Sequence, residues 1–286
     1  MTHSFIAVIG SGGQLGSELL RQLGAAAVGL DLPHFDLTER LGVLATLQSL
    51  RPQAVINTAA YTRVDEAETA PERCWAINAD GVAHLAEACR ALNCPLVQIS
   101  TDYVFGGDVR RRTPYREDDA PGPQGVYAQS KLAGERNAAP WERHFIVRTC
   151  GLYGPPGPRS AGNFVATMLR LAETAERIRV VADQYCSPSY ARHVARAIGF
   201  LLLNVEAYGT YHVVNGGATT WHALAVEVFR QAGLEVEVEP ITTDQYGALA
   251  PRPAYSVLDT TKYHALPGRP PMPTWQEGLR EYLGRA

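Results

Sequence analysis

Short apolar runs alternate with longer amphipathic stretches through the first half of the chain. Residues 5–9, 27–30, 54–57, 96–100 and 144–148 are apolar, bounded by turn residues, and read as strands. Between them, Leu15, Leu19, Leu20 and Leu23 recur at helical spacing and predict a helix over 14–23. Helices are likewise predicted over 41–50, 71–91 and 127–136. Such alternation implies right-handed crossovers and a parallel sheet with helices on both faces. After about residue 150 the pattern loosens. Residues 151–162, rich in Gly and Pro, predict a loop. A helix over 164–174, strands over 178–181 and 211–215, and an amphipathic helix over 221–232 follow. Prolines at 251, 253 and from 267 to 273 break up the tail.

Composition narrows the class more than the function. The 286 residues are 46% hydrophobic and 19% charged, as in ordinary globular proteins. A net charge of -3 gives no reason to expect a nucleic-acid or membrane-surface partner. The triplet Arg110-Arg111-Arg112 sits among turn residues and reads as a solvated loop. Five cysteines, an odd number with no Cys-x-x-Cys pair, speak against a disulfide framework or a zinc site. No apolar run is long enough to span a bilayer, and the first apolar run lacks the basic flank of a signal peptide. The expected location is cytoplasmic.

The first strand runs into Gly10-Ser11-Gly12-Gly13-Gln14-Leu15-Gly16. Gly10, Gly13 and Gly16 fit Gly-x-x-Gly-x-x-Gly, a tight turn that lets backbone approach a pyrophosphate at a helix N-terminus. Asp31 ends the second strand, about 20 residues on, where an acid binds the adenosine ribose. Asp36 and Leu37 follow, placed to flank the adenine. The expected fold is therefore α/β: a Rossmann-type doubly wound parallel sheet with a smaller C-terminal substrate-binding lobe. Residues 1–149 form the dinucleotide-binding part, with some later segments returning to it, and 150–286 mainly the substrate lobe.

Tyr127 and Lys131, four apart on a predicted helix, share one face. A free tyrosine has a pKa near 10. A neighbouring ammonium would lower it and fit the phenol for proton transfer to a carbonyl. Lys131 would also hold the nicotinamide ribose. The strand over 96–100 leads into Thr101 and Asp102, at the carboxyl edge where open α/β sheets place ligands. Thr101 could there hydrogen-bond a substrate carbonyl. Each feature alone is common; glycine loop, Asp31, Asn57-Thr58-Ala59-Ala60, Thr101 and Tyr127/Lys131 in this order are not.

With these segments the chain resembles the extended short-chain dehydrogenases/reductases. More narrowly it is similar to the dTDP-4-dehydrorhamnose reductase family, through residues 57–68, 100–105, 114–118, 127–135, 162–164, 181–185, 219–221 and 252–258. The resemblance implies Thr101, Tyr127 and Lys131 as the catalytic set. It implies cofactor contacts from Gly10, Gly13, Gln14, Leu15, Asp31, Asp36, Leu37, Ala59, Ala60 and Tyr61, and substrate contacts from Thr62, Val64, Asp65, Asp102, Tyr103, Asn163 and Arg252. It implies NADPH or NADH as hydride donor and a nucleotide-linked 4-keto sugar as substrate. Related 4,6-dehydratases carry Asp-Glu after the threonine, whereas here Asp102 precedes Tyr103, which removes the elimination base. Many family members carry Trp after Arg-Thr-Ser. This chain has Arg148-Thr149-Cys150-Gly151, so any sugar stacking there must be supplied otherwise. Some members form a homodimer through Mg²⁺ held by glutamates. Glu18 stands at one such position, but Arg192 stands where another glutamate would be, which speaks against a homodimer bridged by Mg²⁺ and leaves a homodimer as one expectation. Two other readings stay open: a reductase or epimerase of another nucleotide sugar, and a non-catalytic dinucleotide-binding subunit.

Overall fold

The computed structural model describes residues 5–160 and 162–284. Six strands form one parallel sheet: β1 (Ile6–Ile9), β2 (Ala27–Leu30), β3 (Ala54–Asn57), β4 (Leu96–Thr101), β5 (His144–Thr149) and β6 (Gly209–His212), in spatial order β6-β5-β4-β3-β1-β2. The order reverses between β1 and β3, so the connections leaving these two strands diverge and open a crevice at their carboxyl ends.

Side chains alternate along each strand, so each face of the sheet buries its own set. On one face Ile6, Val8, Ile56, Val97 and Val147 pack with Leu15 and Leu19 of α1 (Gln14–Leu23). The same layer includes Ile198 and Leu201 of a helix over Ala191–Asn204. On the other, Ala7, Ile9, Val55, Leu96 and Ile146 meet Leu47 of α2 (Arg40–Leu50) and Val82 and Leu85 of α3 (Gly81–Leu92). The strand expected at 211–215 enters the sheet as Gly209–His212, and the 191–204 helix packs in the same core layer, so these later segments belong to the half built on the six-stranded sheet.

The helix expected over 71–91 is not uniform. Pro71–Trp75 is followed by a π-turn, Ala76–Asp80, before α3 begins. Tyr127 and Lys131 ride on α4 (Gly125–Ala138), longer at both ends than its apolar pattern suggested. Later come α5 (Phe164–Leu171), α6 (Ala191–Asn204), α7 (Trp221–Ala232) and α8 (Trp275–Tyr282). Val165, Met168, Leu224, Val228, Phe229 and Leu279 join Ile178 and Val180 in a second core. A parallel two-strand ladder, Arg177–Val181 with Glu237–Ile241, completes this smaller lobe. Among the described residues no helix is long and apolar enough to cross a membrane.

Candidate active site

A cleft of about 710 Å³ lies at the carboxyl ends of the strands, walled by the glycine loop, residues 58–64, the end of β4, α4 and residues from the smaller lobe. The glycine loop needs its glycines. Gly10 has φ 74°, and a Cβ there would stand 2.6 Å from the Ala59 nitrogen. A Cβ on Gly16 would stand 2.3 Å from the Gly10 carbonyl oxygen. Either side chain would push the turn apart. Gly13 caps α1 in extended conformation with no side-chain cap, and the first turn carries no acid. The free N–H groups and the helix dipole therefore favour an anion. Gly13, Gln14 and Leu15 all line the cleft there.

Asp31 closes the next wall. Its carboxylate accepts from the Gly12 N–H at 2.7 Å and the Leu32 N–H at 2.8 Å. Asp36, Leu37, Ala59, Ala60 and Tyr61 line the same cleft. Asn78, in the π-turn, holds the 58–64 segment. Its side chain accepts from the Tyr61 N–H at 2.9 Å, and donates to the Tyr61 carbonyl at 3.1 Å and to Ser130 Oγ at 3.0 Å. One amide thus ties the cleft wall to α4.

Thr101, Tyr127 and Lys131 meet in the cleft. The Thr101 hydroxyl donates to Asp102 Oδ1 at 3.1 Å and accepts from the Tyr103 N–H at 3.2 Å. Ser256 donates to the other Asp102 oxygen. Burial pushes the Asp102 carboxyl above its ordinary range, and these hydrogen bonds only partly oppose that. Tyr103 stands edge-on to Tyr127, with centroids 5.8 Å apart. The electrostatics differ from the sequence expectation. Burial pushes the Tyr127 phenol well above its usual value, against the Thr101 hydrogen bond. Burial pushes the Lys131 ammonium down to about 8, against the Glu135 charge. Lys131 Nζ donates to the Ile99 carbonyl at 2.7 Å. Desolvation outweighs the proximity argument here because both groups are deeply buried.

Thr62, Val64 and Tyr103 line the cleft, as expected of substrate contacts. Asp65, Asn163 and Arg252 do not, because protein partners take their polar atoms. Arg252 Nη2 pairs with Asp65 Oδ2 at 2.7 Å, joining the 58–67 segment to the 250–253 loop. Asn163 caps α5 and donates to Gln14 Oε1 at 2.9 Å. Glu18 is likewise occupied by Arg21, by Gln22 Nε2 at 2.6 Å and by Arg192, whose Nε lies 3.7 Å away. Among the described residues no group of three His, Cys, Asp or Glu is placed to hold a metal. All five cysteines are buried free thiols.

Two further cleft residues escaped the sequence reading. Trp221, at the start of α7, lines the cleft and lies against Gly151: a Cβ on Gly151, where φ is 49°, would stand 3.1 Å from its ring. Phe164 also packs on the indole, with centroids 4.9 Å apart. Arg159, from the Gly/Pro loop, reaches Asp31 at 3.7 Å. The hydroxyls of Ser100 and Thr149, both in the cleft wall, are buried without a partner. Unpartnered buried hydroxyls beside a glycine cradle and an acid at the second strand fit a dinucleotide.

A family profile described as the RmlD substrate binding domain matches residues 4–286. A dTDP-4-dehydrorhamnose reductase of Streptomyces griseus is 42% identical over 285 residues, covering 96% of this chain and 91% of that protein. A protein of Streptomyces antibioticus described as a probable dTDP-4,6-dihydroxy-2-methyloxan-3-one 4-ketoreductase is 38% identical, covering 96% and 92%. The crystal structure of dTDP-4-dehydrorhamnose reductase from Bacillus anthracis in complex with NADP is 38% identical, with a TM-score of 0.93 over 99% of each chain.

Proposed function

Since the chain belongs to the RmlD substrate binding domain family, we propose that it reduces the 4-keto group of dTDP-4-dehydro-L-rhamnose to dTDP-L-rhamnose with NADPH or NADH, a step of nucleotide-sugar biosynthesis. The observation that carries this reading is the meeting of Thr101, Tyr127 and Lys131 in the cleft beside the glycine cradle. The bound nicotinamide supplies the hydride. Tyr127 stays protonated through the neutral range and donates its phenolic proton to the carbonyl oxygen as negative charge develops there. The Thr101 hydroxyl, turned from Asp102 to the same oxygen, donates to it and orients the sugar. Lys131, anchored on the Ile99 carbonyl, holds a positive charge near the proton donor and would hold the nicotinamide ribose when the cofactor is bound. Tyr103, the residue after Asp102, is an aromatic wall, so the chain places no glutamate there for elimination.

Steady-state assays test this reading. The keto-sugar, formed from dTDP-glucose by the upstream enzymes, is added and loss of reduced nicotinamide absorbance is followed. Oxidation dependent on the keto-sugar, with dTDP-L-rhamnose as product, is expected. Absence of oxidation despite cofactor binding would refute it. A second reading, the same reduction on a different nucleotide-linked keto sugar, rests on the unusual Cys150-Gly151 wall.

The Lys131 shift sets a pH dependence. Its ammonium is present below about 8 and lost above, while Tyr127 remains protonated. The kcat/KM for ketone reduction is therefore expected to be level at neutral pH and to fall as pH rises through about 8. A profile that stays level far into the alkaline range would contradict the role given to Lys131.

Trp221 is proposed as the platform under the sugar, in place of an aromatic after Arg148-Thr149. Trp221→Ala is expected to raise KM for the keto-sugar by about tenfold, the size of a lost aromatic face and its contact area. The KM for NADPH should not move. Equal losses for both ligands would mean that the indole only props the lobe.

A further inference from the structure

The adenosine end of the cleft holds a cation with no role in the reduction itself. Arg159 lies in the loop before α5, and that loop rests on the glycine loop through backbone. The Arg159 N–H donates to the Gly12 carbonyl at 2.8 Å. A Cβ on Gly157 would stand 2.4 Å from the Gly12 carbonyl oxygen and 2.5 Å from that of Gly13. The loop's path is thus set independently of the Arg159 side chain. That side chain crosses Gly12: a Cβ there would stand 2.8 Å from Arg159 Cδ and 3.0 Å from Asp31 Oδ2. Gly12, which the phosphate-loop spacing leaves unexplained, is small so that Arg159 and Asp31 can meet above it. The guanidinium lies with Nε 3.7 Å from Asp31 Oδ1, half-exposed on the cleft wall.

We infer that Arg159 reads the 2′ position of the adenosine ribose, so that one site accepts either a 2′-hydroxyl or a 2′-phosphate. The inference rests on the dinucleotide reading of the cleft. Asp31 alone would select the hydroxyl, since its carboxylate accepts from the ribose diol and repels a phosphate dianion. Arg159 supplies the opposite preference from the other lobe. Its contact with Asp31 is long and solvent-exposed, and such pairs hold weakly. The guanidinium also donates from Nη1 to the Leu32 carbonyl at a long 3.4 Å, and it can release both contacts to turn to a 2′-phosphate, which it matches with two parallel N–H donors. With NADH bound it stays on Asp31 and screens that carboxylate.

Direct binding tests this without turnover. Wild type, Arg159→Ala and Arg159→Lys are titrated with adenosine 2′,5′-bisphosphate, 5′-AMP, NADPH and NADH, by calorimetry or cofactor fluorescence. Arg159→Ala is expected to weaken the bisphosphate and NADPH about tenfold or more, the loss of one charge-assisted contact. 5′-AMP and NADH should change about twofold at most, within the scatter of an exposed ion pair. Arg159→Lys should recover part of the loss. Added salt should shrink the 2′-phosphate advantage of wild type but not of Arg159→Ala. Equal weakening of all four probes, or of none, would overturn the inference. Failure of wild type to bind any probe would overturn the dinucleotide reading beneath it.

Discussion

Tyr127→Phe is expected to lower kcat by about 10²- to 10⁴-fold, the range for loss of a positioned proton donor. The substitution deletes one oxygen and keeps the ring that stands edge-on to Tyr103. Packing of α4 should therefore survive. What is lost is the only group in the Thr101–Tyr127–Lys131 set that combines a proton held through the neutral range with a place at the carbonyl. Steady-state kinetics give the kcat loss, and cofactor fluorescence gives the affinity, which should be unchanged. Near-normal turnover would shift the donor role to Thr101. A parallel fall in cofactor affinity would mean that the variant disturbs the site rather than the chemistry.

Glu135→Gln should cost about 3–5 kcal/mol of stability, the usual consequence of stripping one partner from a buried ion pair. Glu135 sits one turn beyond Lys131 on the same face of α4, two turns beyond Tyr127. Arg148 of β5 grips it with two bonds, at 2.9 Å and 2.7 Å, and both side chains are almost fully buried. Without the carboxylate, the Arg148 guanidinium keeps its charge in a dry site. Urea unfolding should show a lower midpoint at unchanged slope. Replacing both partners by apolar residues, Glu135→Leu with Arg148→Met, should recover much of the loss, because no buried charge is then left alone. A kinetic signature separates position from mere stability. Glu135 raises the Lys131 pKa, so its removal should move the alkaline fall of kcat/KM to lower pH. An unmoved limb would confine Glu135 to holding the fold.

The sheet was legible because its signal is local. Apolar runs bounded by turn residues marked β1 to β5 to within a residue or two; β1, β3, β4 and β5 bury both faces, while β2, at the sheet edge, stays partly exposed. The glycine loop and Asp31 were legible for a similar reason: backbone geometry restricts residue type there, as the 2.3 Å approach at Gly16 makes plain. The Tyr127/Lys131 spacing located the pair but not its electrostatics, because spacing carries no information on burial. Asp65 and Arg252, expected as ligand contacts, also pair with each other, a pairing across 187 residues that no local pattern reveals. The break in the 71–91 helix was hidden because Ala76–Asp80 carries no proline or glycine to mark it, while the π-turn sets Asn78 on the Tyr61 backbone. Arg159 had no signal at all. It lies in a Gly/Pro loop without periodicity, and only the close seating of that loop on Gly12 and Gly13 brings it to Asp31.

Transfer of label tests the central claim most directly. The keto-sugar is reduced with NADPH carrying deuterium at both C4 positions of the nicotinamide, and the product is read by mass spectrometry and NMR. The account predicts one deuterium at C4 of the rhamnosyl ring, with none entering that carbon from deuterated solvent. Product whose C4 hydrogen comes from solvent, or no product while NADPH is bound, would contradict it.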